Sequence, residues 1–223
     1  MSFKLLISAL IKVIFGILLV GVLLFVPAGS LNYYNGWLFM GLLFIPMILA
    51  GIIMMIKNPK LLKSRLDAKE EEKKQKIVIL LSGIMFILGF VISGLNYRFN
   101  WIHLPRIVII IASVIFILSY ILYAEVLREN SYLLRTIKVE EGQKLVDTGL
   151  YGIVRHPMYF ATIFLFLSMP LILDSLISFI IFLIYPFIIS MRIKNEEKVL
   201  ENDLKGYSEY KKKVKYKLIP FIW

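Results

Sequence analysis

The 223-residue sequence contains no cysteine and only two histidines. The first absence removes a disulfide framework, a thiolate metal site and a cysteine nucleophile together, and it leaves the redox compartment undecided. His103 has no second histidine or carboxylate cluster beside it in the chain, so no metal site is expected there. Charge is scarce as well. Asp, Glu, Lys and Arg fill 18% of positions against 59% hydrophobic residues, with a mean hydropathy of +0.80. A water-soluble domain could not hide that much apolar surface, so the composition is that of an integral membrane protein. An internal repeat, a low-complexity linker and the half-to-half similarity of transporters are also lacking. There is no Walker loop, no dinucleotide fingerprint after a strand and no Ser-His-Asp signature. The expectation is one membrane domain over residues 1–223.

What is present is a series of apolar runs. Phe3 to Pro27 and Gly36 to Ile56 are each long enough to cross about 30 Å of hydrocarbon, with a short turn of Gly29, Ser30, Asn32 and Asn35 between them. Phe3 to Pro27 is too long for a signal peptide and lacks a small-residue cleavage site, so it reads as a retained first helix. A charged break from Lys57 to Lys76 precedes two more spans, Ile77 to Leu95 and Arg106 to Ala124. They are joined by NYRFNWIHLP, whose Tyr97, Trp101 and Pro105 suit an interface loop. After a long loop, Met158 to Leu173 and Ser175 to Met191 are each a little short for a span. A helical hairpin turning at Asp174 is expected, with Asp174 near the far interface or capping the second helix. The expected fold is therefore an all-α integral membrane protein with about six transmembrane helices. Residues 1–124 form a four-helix part, and residues 125–223 hold a loop, the hairpin and a C-terminal helix and tail.

The net charge of +11 is distributed along the chain in a pattern. Lys57, Lys60, Lys63, Arg65, Lys69, Lys73, Lys74 and Lys76 mark one loop, Arg128, Arg135, Lys138, Lys144 and Arg155 a second, and Arg192 with eight lysines the tail. The opposite side carries only Arg98 and Arg106. Both termini are thus expected in the cytoplasm of a multi-pass cell-membrane protein, with anionic lipid head groups rather than nucleic acid as partners of the basic residues. Lys12, inside the first span, is expected to snorkel or face the bundle. Gly89 and Ser93 are spaced for close helix packing, and Glu125, at the end of the fourth span, is either a site residue or, the favoured reading, an interfacial charge.

Chemistry belongs to the charged C-terminal half, where three segments stand out. In VDTGLYGIVRHPMY, residues 146–159, Gly149 and Gly152 permit positive φ and Pro157 suits a first helical turn. Exposed N–H groups at that helix start, with Arg155 and His156, would favour a carboxylate or phosphate. In RIKNEEKVLENDL, residues 192–204, Arg192 and Glu196 share a helix face and can pair, while Glu197 points about 100° further round. The tail GYSEYKKKVKYKLIPFIW should lie on the bilayer surface or fold back over the bundle. Taken singly, each is also what an ordinary membrane flank carries: an anchoring arginine, an interfacial histidine, a solvated ion-pair face, a membrane-associated tail.

Taken in order, the three resemble the C-terminal half of the isoprenylcysteine carboxyl methyltransferase and phospholipid methyltransferase superfamily. The shared pattern is G-x-Y-x-x-V-R-H-P-x-Y, then R-x-x-x-E-E, then G-Y-x-x-Y ending in I-P, over about Lys144 to Trp223. GLNYRFNW is similar to the prokaryotic branch. Leu150 stands where proline is common, and the hairpin FLSMPLILDS lacks the G-T-Q and N-P features of eukaryotic prenylcysteine enzymes.

The resemblance implies S-adenosylmethionine as methyl donor, bound at the cytoplasmic face between the helices and the tail. It implies that the backbone from Val146 to Val154, with Gly149 and Tyr151, lines the cofactor pocket. His156 and Tyr159 would hold the methionine part, Glu197 would help fix it, and Leu218 with Ile219 would cover the adenosine. Arg192 and Glu196 would be the catalytic pair that orients a lipidic or amphiphilic acceptor. Carboxyl O-methylation is the first expectation and phospholipid amine N-methylation the second. An NADPH-dependent sterol-type reductase and a non-catalytic membrane protein are the competing classes.

Overall fold

A computed structural model describes residues 3–66, 73–130, 132, 139 and 142–223. Lys69, Arg135 and Lys138 of the basic segments lie outside the described residues. Among the described residues the chain is helical, with no strand. The order is α1 (Phe3–Ala28), α2 (Tyr34–Lys57), α3 (Pro59–Leu66), α4 (Lys73–Phe99), α5 (Arg106–Glu129), a 3-10 turn (Gly149–Gly152), α6 (Pro157–Ile172), α7 (Leu176–Phe182), α8 (Tyr185–Asp203) and α9 (Tyr207–Lys213).

Among the described residues, five segments are long and apolar enough to cross a membrane: Phe3–Ala28, Tyr34–Lys57, Gln75–Phe99, Arg106–Glu129 and Leu176–Asp203. Pro157–Ile172 is apolar but has only 16 residues. The protein is thus a multi-pass membrane protein, and the sequence reading of about six spans becomes five of spanning length and one shorter helix. Of α1, only Leu24 and Ala28 are buried, while Phe15, Leu18 and Val22 are more than half exposed. Such a surface is stable only against lipid. The charged break between α2 and α4 contains the short helix α3, and α5 runs past Ala124 to Glu129.

The hairpin turns where expected, but its details differ. Asp174 adopts φ +59°, and the helix cap is Ser175, whose hydroxyl accepts the Ser178 N–H at 3.3 Å. The Asp174 carboxylate is used instead across the bundle. It accepts the Leu104 N–H at 2.6 Å and meets His103 Nδ1 at 2.6 Å. His103 therefore does have a carboxylate neighbour, 71 residues away in sequence, a contact that only the return of the hairpin creates. The last span is also broken: α7 stops at Phe182 and α8 begins at Tyr185, with Pro186 in its first turn. A proline has no N–H to continue the preceding helix, and it is well accommodated at a helix start.

Phe39, Phe86, Phe90, Phe116, Phe166 and Phe182 interlock in edge-on and tilted pairs with centroids 4.9 to 6.4 Å apart. Each such pair adds about 0.5–1.5 kcal/mol beyond its burial. Gly89 and Ser93 do serve close packing, because the Ser178 hydroxyl donates to the Gly89 carbonyl at 2.8 Å and Ser93 reaches Ser178 at 2.9 Å. These bonds join α4 to α7. Lys12 donates to the Leu66 carbonyl, the last of α3, so it satisfies a helix end while staying exposed on α1.

Gly94 lets α4 meet α1. A Cβ there would stand 2.5 Å from the Leu24 carbonyl oxygen and 3.0 Å from the Ala28 nitrogen. Because these are backbone atoms, the two helices would have to separate. Gly94→Ala should destabilise the bundle by about 1–3 kcal/mol, read as a Tm roughly 5 °C lower in detergent unfolding; an unchanged Tm would contradict the packing described.

Candidate functional site

On α8 the buried stripe changes chemistry without changing direction. Ile188 and Ile189 face the core, Arg192 and Ile193 come one turn later, and Glu196 and Glu197 one turn after that. The 3.6-residue repeat thus carries two carboxylates and a guanidinium onto the line of the core. The expected pair of Arg192 and Glu196 meets on a third group. Arg192 Nε donates to the Tyr159 hydroxyl at 2.8 Å, and that hydroxyl donates to Glu196 Oε2. Arg192 also donates from Nη1 to Gln75 Oε1 at 3.2 Å. Gln75 is fully buried at the start of α4, and it was hidden in the sequence by its basic neighbours.

The stretch before α6 is built on two carboxylates. Gly149 has φ +57°, and a Cβ there would run into the Glu129 carboxylate, whose Oε2 accepts the Leu150 N–H at 2.9 Å. That close approach is what requires glycine at this point. Gly152 does not use the left-handed region allowed for it. Further on, Arg155 Nε donates to Glu197 Oε1 at 2.8 Å, with both side chains about 95% buried. His156 Nε2 lies 3.3 Å from the same oxygen, and Lys217 Nζ is 3.5 Å from Oε2.

The tail folds back over this point, one of the two placements expected. The Arg155 N–H donates to the Tyr216 carbonyl and the His156 N–H to the Lys217 carbonyl, both at 2.9 Å. Arg155 Nη1 adds bonds to the Val214 and Lys215 carbonyls at 2.7 and 2.8 Å. The reading of these N–H groups as an open anion site is corrected here, since the tail occupies them. Leu218 enters the membrane core cluster, and Ile219 remains 39% exposed.

Between α6, α8, α9 and the loop before the 3-10 turn lies a cleft of about 810 Å³, counting its solvent mouth. Val146, Tyr151, His156, Tyr159, Arg192 and Glu196 line it. Gly149, Val154, Glu197, Leu218 and Ile219 are not among its lining residues. They stand behind it, as the turn, the buried ion pair and the packed tail. Asn130, Lys144, Arg155, Tyr207 and Tyr210 line the cleft in addition. The G-Y-x-x-Y spacing was the available signal for the last two, since residues three apart share a helix face. Burial, chiefly, pushes the Tyr151, Tyr207 and Tyr210 hydroxyls well above their ordinary range, so all three remain protonated donors.

Residues 108–202 match the sequence model of the Isoprenylcysteine carboxyl methyltransferase (ICMT) family. The ICMT segment runs from α5 through most of α8, and so contains every cleft residue named above except Tyr207 and Tyr210. The Delta(14)-sterol reductase TM7SF2 of Mus musculus is also similar, 30% identical over 93 residues. That alignment covers 40% of this chain and 22% of the reductase, so the chain spans about a fifth of that relative's length.

Proposed function

We propose that this protein is a membrane methyltransferase that uses S-adenosylmethionine and methylates a lipidic or amphiphilic acceptor at the cytoplasmic face of a cell membrane. The observation that carries the reading is the cleft itself. It places His156, Tyr159, Arg192 and Glu196 of the ICMT segment around one space, at the end of a bundle otherwise sheathed in apolar side chains. A water-soluble donor and a lipid-borne acceptor need such a boundary.

The residues present fit the cofactor. Tyr207 lines the cleft, and its buried hydroxyl has no hydrogen-bond partner among the described residues; the cleft also offers both cationic and anionic walls for an amino-acid moiety. Val146, Tyr151, His156 and Tyr159 would hold it directly. Glu197 would act through Arg155 and His156, Gly149 through the Glu129-capped turn, and Val154, Leu218 and Ile219 through the packing behind. When bound, the cofactor supplies a methyl group on a sulfonium. The chain's own part is to align the acceptor with it and to keep water out. Arg192 and Glu196 are the proposed catalytic residues. Arg192 presents a donor fork fixed by Tyr159 and Gln75, while Glu196 already accepts the Tyr159 proton. A carboxylate acceptor needs no base, so this arrangement favours carboxyl O-methylation over N-methylation of an amine, which must first lose a proton.

A sterol-type reductase is the second reading, supported by the similarity to the mouse reductase. Titration calorimetry on nanodisc-embedded protein separates the two. Saturable binding of S-adenosylhomocysteine, undiminished by excess NADPH, is expected. Binding of NADPH alone would replace the methyltransferase reading with the reductase.

A further inference from the structure

One hydroxyl of the cleft has no task in the fold. Tyr207, the first residue of α9, is 3% exposed, and its hydroxyl has no hydrogen-bond partner among the described residues. Leaving a buried hydroxyl unmatched costs about 1–3 kcal/mol. The position is set by the chain rather than by that hydroxyl. Gly206, at φ +87°, turns the chain into α9, and three residues on the Tyr210 hydroxyl donates to the Tyr151 carbonyl at 2.7 Å. Leu204, Tyr207, Tyr210 and Val214 form a small apolar cluster with Leu145 and Leu200. Removing the Tyr207 hydroxyl would therefore take nothing from the packing.

Three of the four oxygens on the neighbouring carboxylates are engaged. Glu197 Oε1 serves Arg155 and His156, Oε2 lies nearest Lys217, and Glu196 Oε2 takes the Tyr159 proton, while Glu196 Oε1 faces His156 Nδ1 at 4.0 Å. None of them bonds the Tyr207 hydroxyl, which is left to whatever fills the cleft. The helix that carries Tyr207 leads straight into the tail strapped over Arg155 and His156. Occupancy of the cleft and closure of this segment are thus joined through one hydroxyl.

We infer, building on the methyl-donor reading above, that Tyr207 donates a hydrogen bond to an oxygen or ring nitrogen of the bound nucleoside cofactor, and that this bond clamps α9 and the tail over it. The test uses the full chain in nanodiscs with S-adenosylhomocysteine as probe. Affinity is measured by calorimetry, and tail closure by the rate of trypsin cleavage at Lys211, Lys212 and Lys213. Tyr207→Phe should fold with an unchanged or slightly higher Tm in the absence of ligand. It should bind roughly three- to tenfold more weakly, the equivalent of one lost hydrogen bond. At saturating ligand it should also lack the protection from trypsin that the wild type gains. A wild type that binds, with Tyr207→Phe matching it in affinity or in protection, overturns the inference alone. A wild type that does not bind S-adenosylhomocysteine overturns the methyl-donor reading, and the inference with it.

Discussion

Replacing Glu197 with alanine should release the C-terminal tail and abolish the cleft's closed shape. The carboxylate is the buried counter-ion of Arg155 and the neighbour of His156 and Lys217. Without it, one cation buried to 96% of its side chain is left with only backbone carbonyls on Nη1, and a second stands close by. Removing one partner of a buried pair typically costs about 3–5 kcal/mol. The strain should appear locally, because the tail carbonyls of Tyr216 and Lys217 can let go of the Arg155 and His156 N–H groups while the helices stay packed. Hydrogen exchange at those two amides should accelerate by about 10²- to 10³-fold, each decade corresponding to about 1.4 kcal/mol. Amides in the cores of α4 and α6 should change little. Glu197→Gln keeps one acceptor for Arg155 Nε and should lie between. Equal exchange in Glu197→Ala and wild type would mean that the ion pair does not hold the tail.

This outcome would also explain why Glu197 and its neighbours were only partly legible in the sequence. Helix spans could be read because lipid demands long apolar runs, and the continuation of α8 to Asp203 because no turn residue interrupts RIKNEE. The face shared by Arg192 and Glu196 followed from the helical repeat. What the repeat could not supply was the third partner. Tyr159 lies 33 residues before Arg192, and its insertion between the two charges depends on how α6 leans on α8. Gln75 was invisible for the same reason, as were Asp174 and His103, whose contact requires the hairpin to return to the α4–α5 loop. Arg155 and His156 were read as open donors because local sequence does not reveal that a segment 60 residues later will take their N–H groups. Which of the candidate residues form the cleft wall and which the scaffold behind it was decided by tertiary contacts.

The second large effect concerns Arg192. In Arg192→Lys the positive charge remains, but a single ammonium cannot bond Tyr159 and Gln75 and still offer a planar pair of donors to an acceptor. Under the proposed function the loss falls on the transfer step. A preorganised donor aimed at developing or shifting charge is commonly worth 10²–10³-fold in kcat, about 3–4 kcal/mol. Methyl transfer to an amphiphilic carboxylate, followed by mass spectrometry as the gain of one methyl group, should fall by about that factor. Binding of S-adenosylhomocysteine should remain within roughly threefold of wild type, because Arg155, His156, Tyr151 and Tyr207 are untouched. Tyr159→Phe offers the control for position. It deletes the bridge while keeping the arginine fork, so Glu196 and Arg192 can pair directly and swing the fork away from its present direction. A comparable loss in Tyr159→Phe at saturating cofactor, where its own contact with the cofactor is not limiting, identifies orientation, and not charge, as what Arg192 contributes. If Arg192→Lys instead weakens S-adenosylhomocysteine binding in proportion to the lost activity, the arginine belongs to the cofactor's end of the cleft, and the assignment of Arg192 and Glu196 to the acceptor is wrong.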